Sequence, residues 1–204
     1  MSYDVTDVGK LCVRSIAQLD RVANNVANTG TSGFKADHLH YFMSKNPGPK
    51  SDRTPSYKPH VAIDFSQGAI QKTGNVTDVA IHGEGFFTIL GKDGNSLYTR
   101  RGDFSVSQDG RLLTSSGDEV VGDGGPIVIN NGTARINDRG IVEVNGVEVG
   151  RLSVVAFDNQ KALLKKGDGL FVDPGTAGMR TLDNPVVLSG HLEVSNVQAL
   201  KEMV

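Results

Sequence analysis

The sequence predicts a mainly β protein with helical termini, in which a hairpin-rich antiparallel β domain is inserted between an N-terminal and a C-terminal helix. Three observations carry this. Val5, Val8, Cys12, Ile16, Leu19, Ala23 and Val26 recur at steps of three and four, so they form one stripe of an amphipathic helix. From about Val61 to Leu188 the pattern changes to short alternating runs broken by Gly and Asp, among them FFTIL, SLYTR, PIVIN, IVEVN and LSVVAF. Helical spacing returns only near the end, at Val197, Leu200 and Val204, behind a Ser195 or Asn196 that can cap a first turn.

The N-terminal helix should end where Asn28, Thr29, Gly30, Thr31, Ser32 and Gly33 offer left-handed backbone and side chains that bond their own main chain. Phe34 follows as an apolar anchor. The segment from Ser44 to Pro59 holds four prolines and cannot continue a helix. The expected organisation is residues 1–43 for the helix and its corner, 44–66 for a Pro-rich linker or loop, 67–190 for the β domain and 191–204 for the start of a C-terminal helix. Within the β domain, Asp93-Gly94, Asp109-Gly110 and Asn145-Gly146 separate candidate strands. The last is the clearest hairpin, because Asn-Gly accommodates the positive φ values of a two-residue turn. The matching apolar stripes at the two ends imply that the termini meet.

Composition narrows the function classes. A chain of 204 residues with 38% hydrophobic residues buries roughly 70% of its unfolded surface and needs no staples. The single Cys12 excludes an internal disulfide, and its place on the stripe suits a packed hydrophobe. A net charge of −2 argues against nucleic-acid binding, and the pairs Arg100-Arg101 and Lys165-Lys166 are expected to be solvated. No apolar run reaches the length of a membrane span, and MSYDVTDVGK lacks the basic leader and apolar core of a cleaved signal.

Catalytic patterns fail on inspection. Gly83-Glu84-Gly85 lacks the third glycine and the helix of a dinucleotide loop, since Thr88 and strand-like Phe86, Phe87 and Ile89 follow. His38 and His40 would need a further ligand supplied by the fold to hold a metal. Ser153, Asp158, His82 and His191 are the residue types of a hydrolase without a nucleophile elbow. The expectation is no catalytic residue, no cofactor and no metal.

ANNVANTGTSGFKA resembles the N-terminal signature of the bacterial flagellar basal-body rod and hook proteins. GNVTDVAIHGEGFFTIL and YTRRGDFSVSQDGRLLTSSGDEVVG are similar to the family's central block, and GHLEVSNVQALKEMV to the start of its C-terminal helix. Three blocks in the family's order cover most of the chain. VVGDGGPIVI and the modest length look most like the proximal-rod type, with the distal-rod type next. The resemblance implies a structural subunit, not an enzyme, that polymerises helically with itself and other rod subunits into a drive shaft around an export channel. It implies passage through the flagellar export apparatus without a cleaved signal, a place in the periplasmic space, and terminal helices packed as a coiled coil.

On this resemblance Asn24, Asn25, Ala27, Asn28, Thr31, Gly33, Phe34 and Lys35 form an assembly signature. Val8, Cys12, Ile16, Leu19, Ala23, Val26, Val197, Leu200 and Val204 form the helix–helix contact. Gly74, Asn75, Asp78, Gly83, Gly85, Phe86, Phe87, Tyr98, Thr99, Arg100, Gly102 and Phe104 hold the β domain's geometry. The chain stops where the family continues for several helical turns, so the C-terminal helix is expected to be truncated. Without the family match, the same Asn and Gly residues read as an ordinary helix end and turn, and a secreted β-domain binding module with dimerising helical ends is the alternative function.

Overall fold

Side chains alternate across a strand, so adjacent Phe86 and Phe87 must enter different layers, and they do. The computed structural model describes residues 5–43, 57–130 and 132–199. In it the strand Phe86–Leu90 pairs with Ser96–Thr99, Glu119–Gly122 and Val154–Phe157, all antiparallel, at the centre of a ten-stranded sheet. On one side Phe87 packs edge-on to Phe104, with Ile81, Ile89, Leu112, Val120 and Leu152 around them. On the other, Phe86 meets Phe65, Phe157 and Phe171, and Tyr98 stacks edge-on to Phe157. Two cores thus share one strand.

Smaller sheets complete the β part: Ala134–Ile136, Ile141–Val144 and Val147–Arg151 form one, Val79–His82 pairs with Val186–Ser189, and Ile70–Lys72 pairs with His191–Glu193. Asn145 and Gly146 have φ of +53° and +82°, so the Asn-Gly turn links Ile141–Val144 to Val147–Arg151 with the left-handed pair that a type I′ hairpin needs.

The helix Val5–Ala27 is followed by a long antiparallel ribbon, Asp37–Met43 against Tyr57–Ile63, registered from Asp37 opposite Ile63 to Met43 opposite Tyr57. Part of the Pro-rich segment is therefore strand, with Pro59 opposite Tyr41. The ribbon lies beside the helix: the Tyr41 hydroxyl donates to the Arg14 carbonyl at 3.3 Å, and the Arg14 guanidinium sits 5.5 Å from the Tyr41 ring centre.

The expected helix–β–helix architecture is corrected. Val5–Ala27 is the only α-helix among the described residues, and no helix starts at Ser195 or Asn196. Helical backbone appears at Ala199 alone, and residues 200–204 lie outside the described ones. The physical reason is competition for the same side chains. Ser195 accepts from the Val197 amide at 3.2 Å, a local turn, while Asn196 accepts from the Ala36 amide at 2.8 Å and donates to the Asp64 carbonyl at 2.8 Å. Asn196, whose side chain can cap a helix, here bonds distant backbone instead. Residues 193–196 do reach the corner, but as an extended segment docked on residues 33–36.

Candidate assembly site at the corner

The helix end is closed by its own signature. Asn28 donates from its side chain to the Asn24 carbonyl at 2.8 Å, Thr29 from its hydroxyl to the Val26 carbonyl at 2.9 Å, and Thr31 to the Asn28 side-chain oxygen at 3.1 Å. Carbonyls that a helix terminus leaves unpaired are thereby satisfied. Gly33 then turns the chain with φ of +62°, and its missing Cβ would lie 2.5 Å from the Arg100 carbonyl carbon. Only glycine fits that approach.

Asn25 is the surprise of the helix. It is fully buried, accepting from the Asp37 amide at 3.0 Å and donating to the Asp37 carbonyl at 2.9 Å, as a neighbouring strand would. A polar residue therefore faces the ribbon while Cys12, Ile16, Leu19 and Ala23 are exposed, and Val26 is half-buried. Cys12 is not a packed core residue, contrary to the expectation from its place on the stripe. Asn24 and Ala27 are also exposed, and Val197 is half-buried. The side chain of Val8, with Leu200 and Val204, lies outside the described part.

Below the corner Lys35, Arg100 and Glu193 meet. The Lys35 ammonium lies 2.6 Å from one Glu193 oxygen and the Arg100 guanidinium 2.7 Å from the other, with all three side chains at most 4% exposed. The surplus positive charge is met by backbone: Lys35 donates to the Ser66 carbonyl, and Arg100 to the carbonyls of Ile81, Gly83 and Gly85. Burial pushes the Lys35 ammonium below the usual lysine range, and the Glu193 carboxylate opposes that push. Burial likewise lowers Arg100, again against Glu193. The expectation that Arg100 and its neighbours are solvated is wrong for this residue, and Lys165 also packs inward, 4.2 Å from the Phe34 ring centre and 2.9 Å from Asp37.

Lys35 comes from the N-terminal signature, Arg100 from the central block and Glu193 from the C-terminal block, so all three matched blocks converge on one buried cluster. Sequence reasoning singled out Lys35 and Arg100 but missed Glu193. The available signal was a lone acid in a predicted strand-to-helix junction, HLEVSN, facing two basic residues that lacked assigned partners.

The remaining fold residues frame the cluster. Asp78 donates its amide to the Asn75 carbonyl and accepts the Asn75 side chain, while its own carbonyl takes the Gly190 amide and Gly74 donates to the Gly190 carbonyl. Thr99 donates to the Gly169 carbonyl at 2.9 Å, and Tyr98 points its hydroxyl at the Met179 sulfur. Gly102 is needed because a Cβ there would meet the Val79 carbonyl oxygen at 1.6 Å. A second clasp joins Ser32 to Asp103 at 2.8 Å, with Arg101 on the same carboxylate at 2.7 Å. Burial pushes Asp103 up, but Arg101 and Ser32 outweigh it and hold the carboxyl below its usual range.

No catalytic set is assembled from the residues weighed for one. Ser153 donates to Thr88, Asp158 pairs with Arg180, and His191 contacts the Ser189 carbonyl. Among the described residues no group of three or more His, Cys, Asp or Glu side chains is placed to hold a metal, and no helix is long and apolar enough to cross a membrane.

Residues 80–144 match the family described as the flagellar hook protein FlgE/F/G D1 domain. The chain is 35% identical to the flagellar basal-body rod protein FlgF of Caulobacter vibrioides, over 91% of this chain and 79% of that protein. It is 30% identical to the rod protein FlgG of Buchnera aphidicola subsp. Baizongia pistaciae, over 90% and 81%, and 31% identical to FlgG of Borreliella burgdorferi, over 91% and 81%. With its exposed helix stripe, its buried three-block cluster and relatives aligned over most of both lengths, the chain belongs to the flagellar basal-body rod protein family: it is a structural, non-enzymatic subunit that assembles with other rod components in the basal body.

Proposed function

We propose that the subunit polymerises helically, presenting Val5–Ala27 at a fixed angle so that Cys12, Ile16, Leu19 and Ala23 pack against neighbouring copies and other rod subunits around the axial channel. The observation that carries this is the inverted helix: it meets its own ribbon through buried Asn25 and through Arg14 against Tyr41, while Ile16 and Leu19 are 59% and 66% exposed. Burying such a side chain contributes about 1.5–3 kcal/mol, so a contiguous row is a strong association surface. Repetition of one heterologous contact that does not close into a ring gives a filament. Asn24, Ala27, Asn28 and Thr31 shape the exposed helix end for neighbours, whereas Gly33, Phe34 and Lys35 anchor it to the β part. The flagellar export apparatus delivers the chain to the periplasmic space without a cleaved signal. The subunit takes a proximal place in the rod, the reading carried by VVGDGGPIVI and the modest length.

The test is the double variant Ile16→Asp, Leu19→Asp, expressed in cells that depend on this protein. Its thermal unfolding should match the parent because both side chains are exposed, while rods and swimming are lost. Intact rods from this variant would remove the helix stripe from the assembly surface.

A further inference from the structure

The buried cluster places its only anion 158 positions after one of its cations. Lys35 and Arg100 cannot both be desolvated without Glu193, because a buried cation needs a counter-charge as well as carbonyl partners. The same late segment supplies further ties to the corner. The Glu193 carbonyl accepts the Gly33 amide at 2.7 Å, its carboxylate accepts the Gly68 amide at 2.9 Å, and Asn196 holds Ala36, Asp64 and Ser66. Residues 191–193 do pair with Ile70–Lys72, but the apolar layers of the β part and its central hydrogen bonds, such as Thr88 to Ser153 and Ile127 to Val120, do not involve residues 191–196.

We propose that residues 191–196 act as a latch in which Glu193 is the positioning residue: the corner closes, and the helix takes its assembly angle, only once this segment docks. Assembly competence is thereby tied to the docking of residues 191–196, and a subunit in which they are unplaced keeps a loose helix that cannot join the rod. The proposal rests on the assembly role of the helix given above.

The experiment is amide hydrogen exchange on the full chain and on Glu193→Gln, which keeps the shape of the side chain and removes the charge. Exchange at Gly33, Ala36, Asp37 and Gly68 should accelerate roughly a hundredfold or more, the consequence of breaking a buried pair. Thr88, Leu112 and Ile127 should be unchanged. Pulse labelling during refolding should show Gly33 and Gly68 becoming protected together with Val194, after Thr88, and in Glu193→Gln the step at Thr88 should keep its rate while the corner step disappears. If the variant does not fold, Lys35→Met, which keeps the Arg100–Glu193 pair, should expose the same corner amides with the β part intact. Equal loss of protection in corner and β part would overturn the latch, as would a corner that stays protected. The stripe variant separates the two proposals: it should lose assembly with corner protection unchanged, so rods formed by it count against the assembly surface, and a rigid corner in Glu193→Gln counts against the latch.

Discussion

Gly33 shows how narrow the corner's tolerance is. Its φ of +62° disfavours a side chain, and a Cβ would press into the Arg100–Arg101 backbone, which cannot swing aside. Gly33→Ala should therefore cost on the order of 3 kcal/mol, combining left-handed strain with overpacking, and a lowered urea midpoint is the check. The clasp at Asp103 adds a pH dependence. Its folded carboxyl titrates below the unfolded value of about 3.9, so its stabilising effect is complete above that pH and is lost as pH falls through the folded value. Asp64 acts with the same sign: burial raises it, but the Ser66 amide and hydroxyl outweigh that and lower it. Unfolding free energy measured from pH 7 downward should decline below about pH 4, and Asp103→Asn should flatten that decline. A steeper slope in the variant would show that Asp103 is not a clasp.

At the scale of elements, the helix stripe and the Asn145-Gly146 hairpin were legible because both depend on local rules: periodicity in one, turn stereochemistry in the other. The Asp168-Gly169 turn, with φ of +50° and +73°, obeys the same stereochemistry. Other features were not legible because they are settled by residues far away in sequence. Asn25 looks like an outward polar position until the ribbon places the Asp37 backbone against it. Asn196 has the chemistry of a helix cap, and what overrides it is the corner, some 160 positions earlier. The Pro-rich segment concealed the strand Tyr57–Ile63 because proline near one end of a ribbon removes one donor without preventing pairing. Asn25→Ala should leave the buried Asp37 amide and carbonyl unpaired and cost about 1–3 kcal/mol. Faster exchange at the Asp37 amide, with Thr88 unaffected, is the expected result; a uniform change would mean that Asn25 serves the whole fold.

At the scale of the molecule, the family's three blocks look like separate motifs in sequence, and in space they form one buried contact. The matching blocks could be recognised individually, but their common purpose could not, because Lys35 reads as part of the corner signature, Arg100 as part of the β domain, and Glu193 as an ordinary charge until folding brings them together. That cluster has no apolar equivalent in the sequence pattern, and it ties residues 193–196 to the corner without a helix pair among the described residues. The helix itself has a mechanical consequence. Its 23 residues make a rod about 34 Å long, so a tilt of roughly 10° at the corner carries the far end about 6 Å, close to one full turn. An error of that size would carry the side chains farthest from the corner away from their neighbours while Ala23, beside the pivot, hardly moves. Tyr41, gripping Arg14 near the middle of the helix, works as a strut that shortens the free arm of this lever.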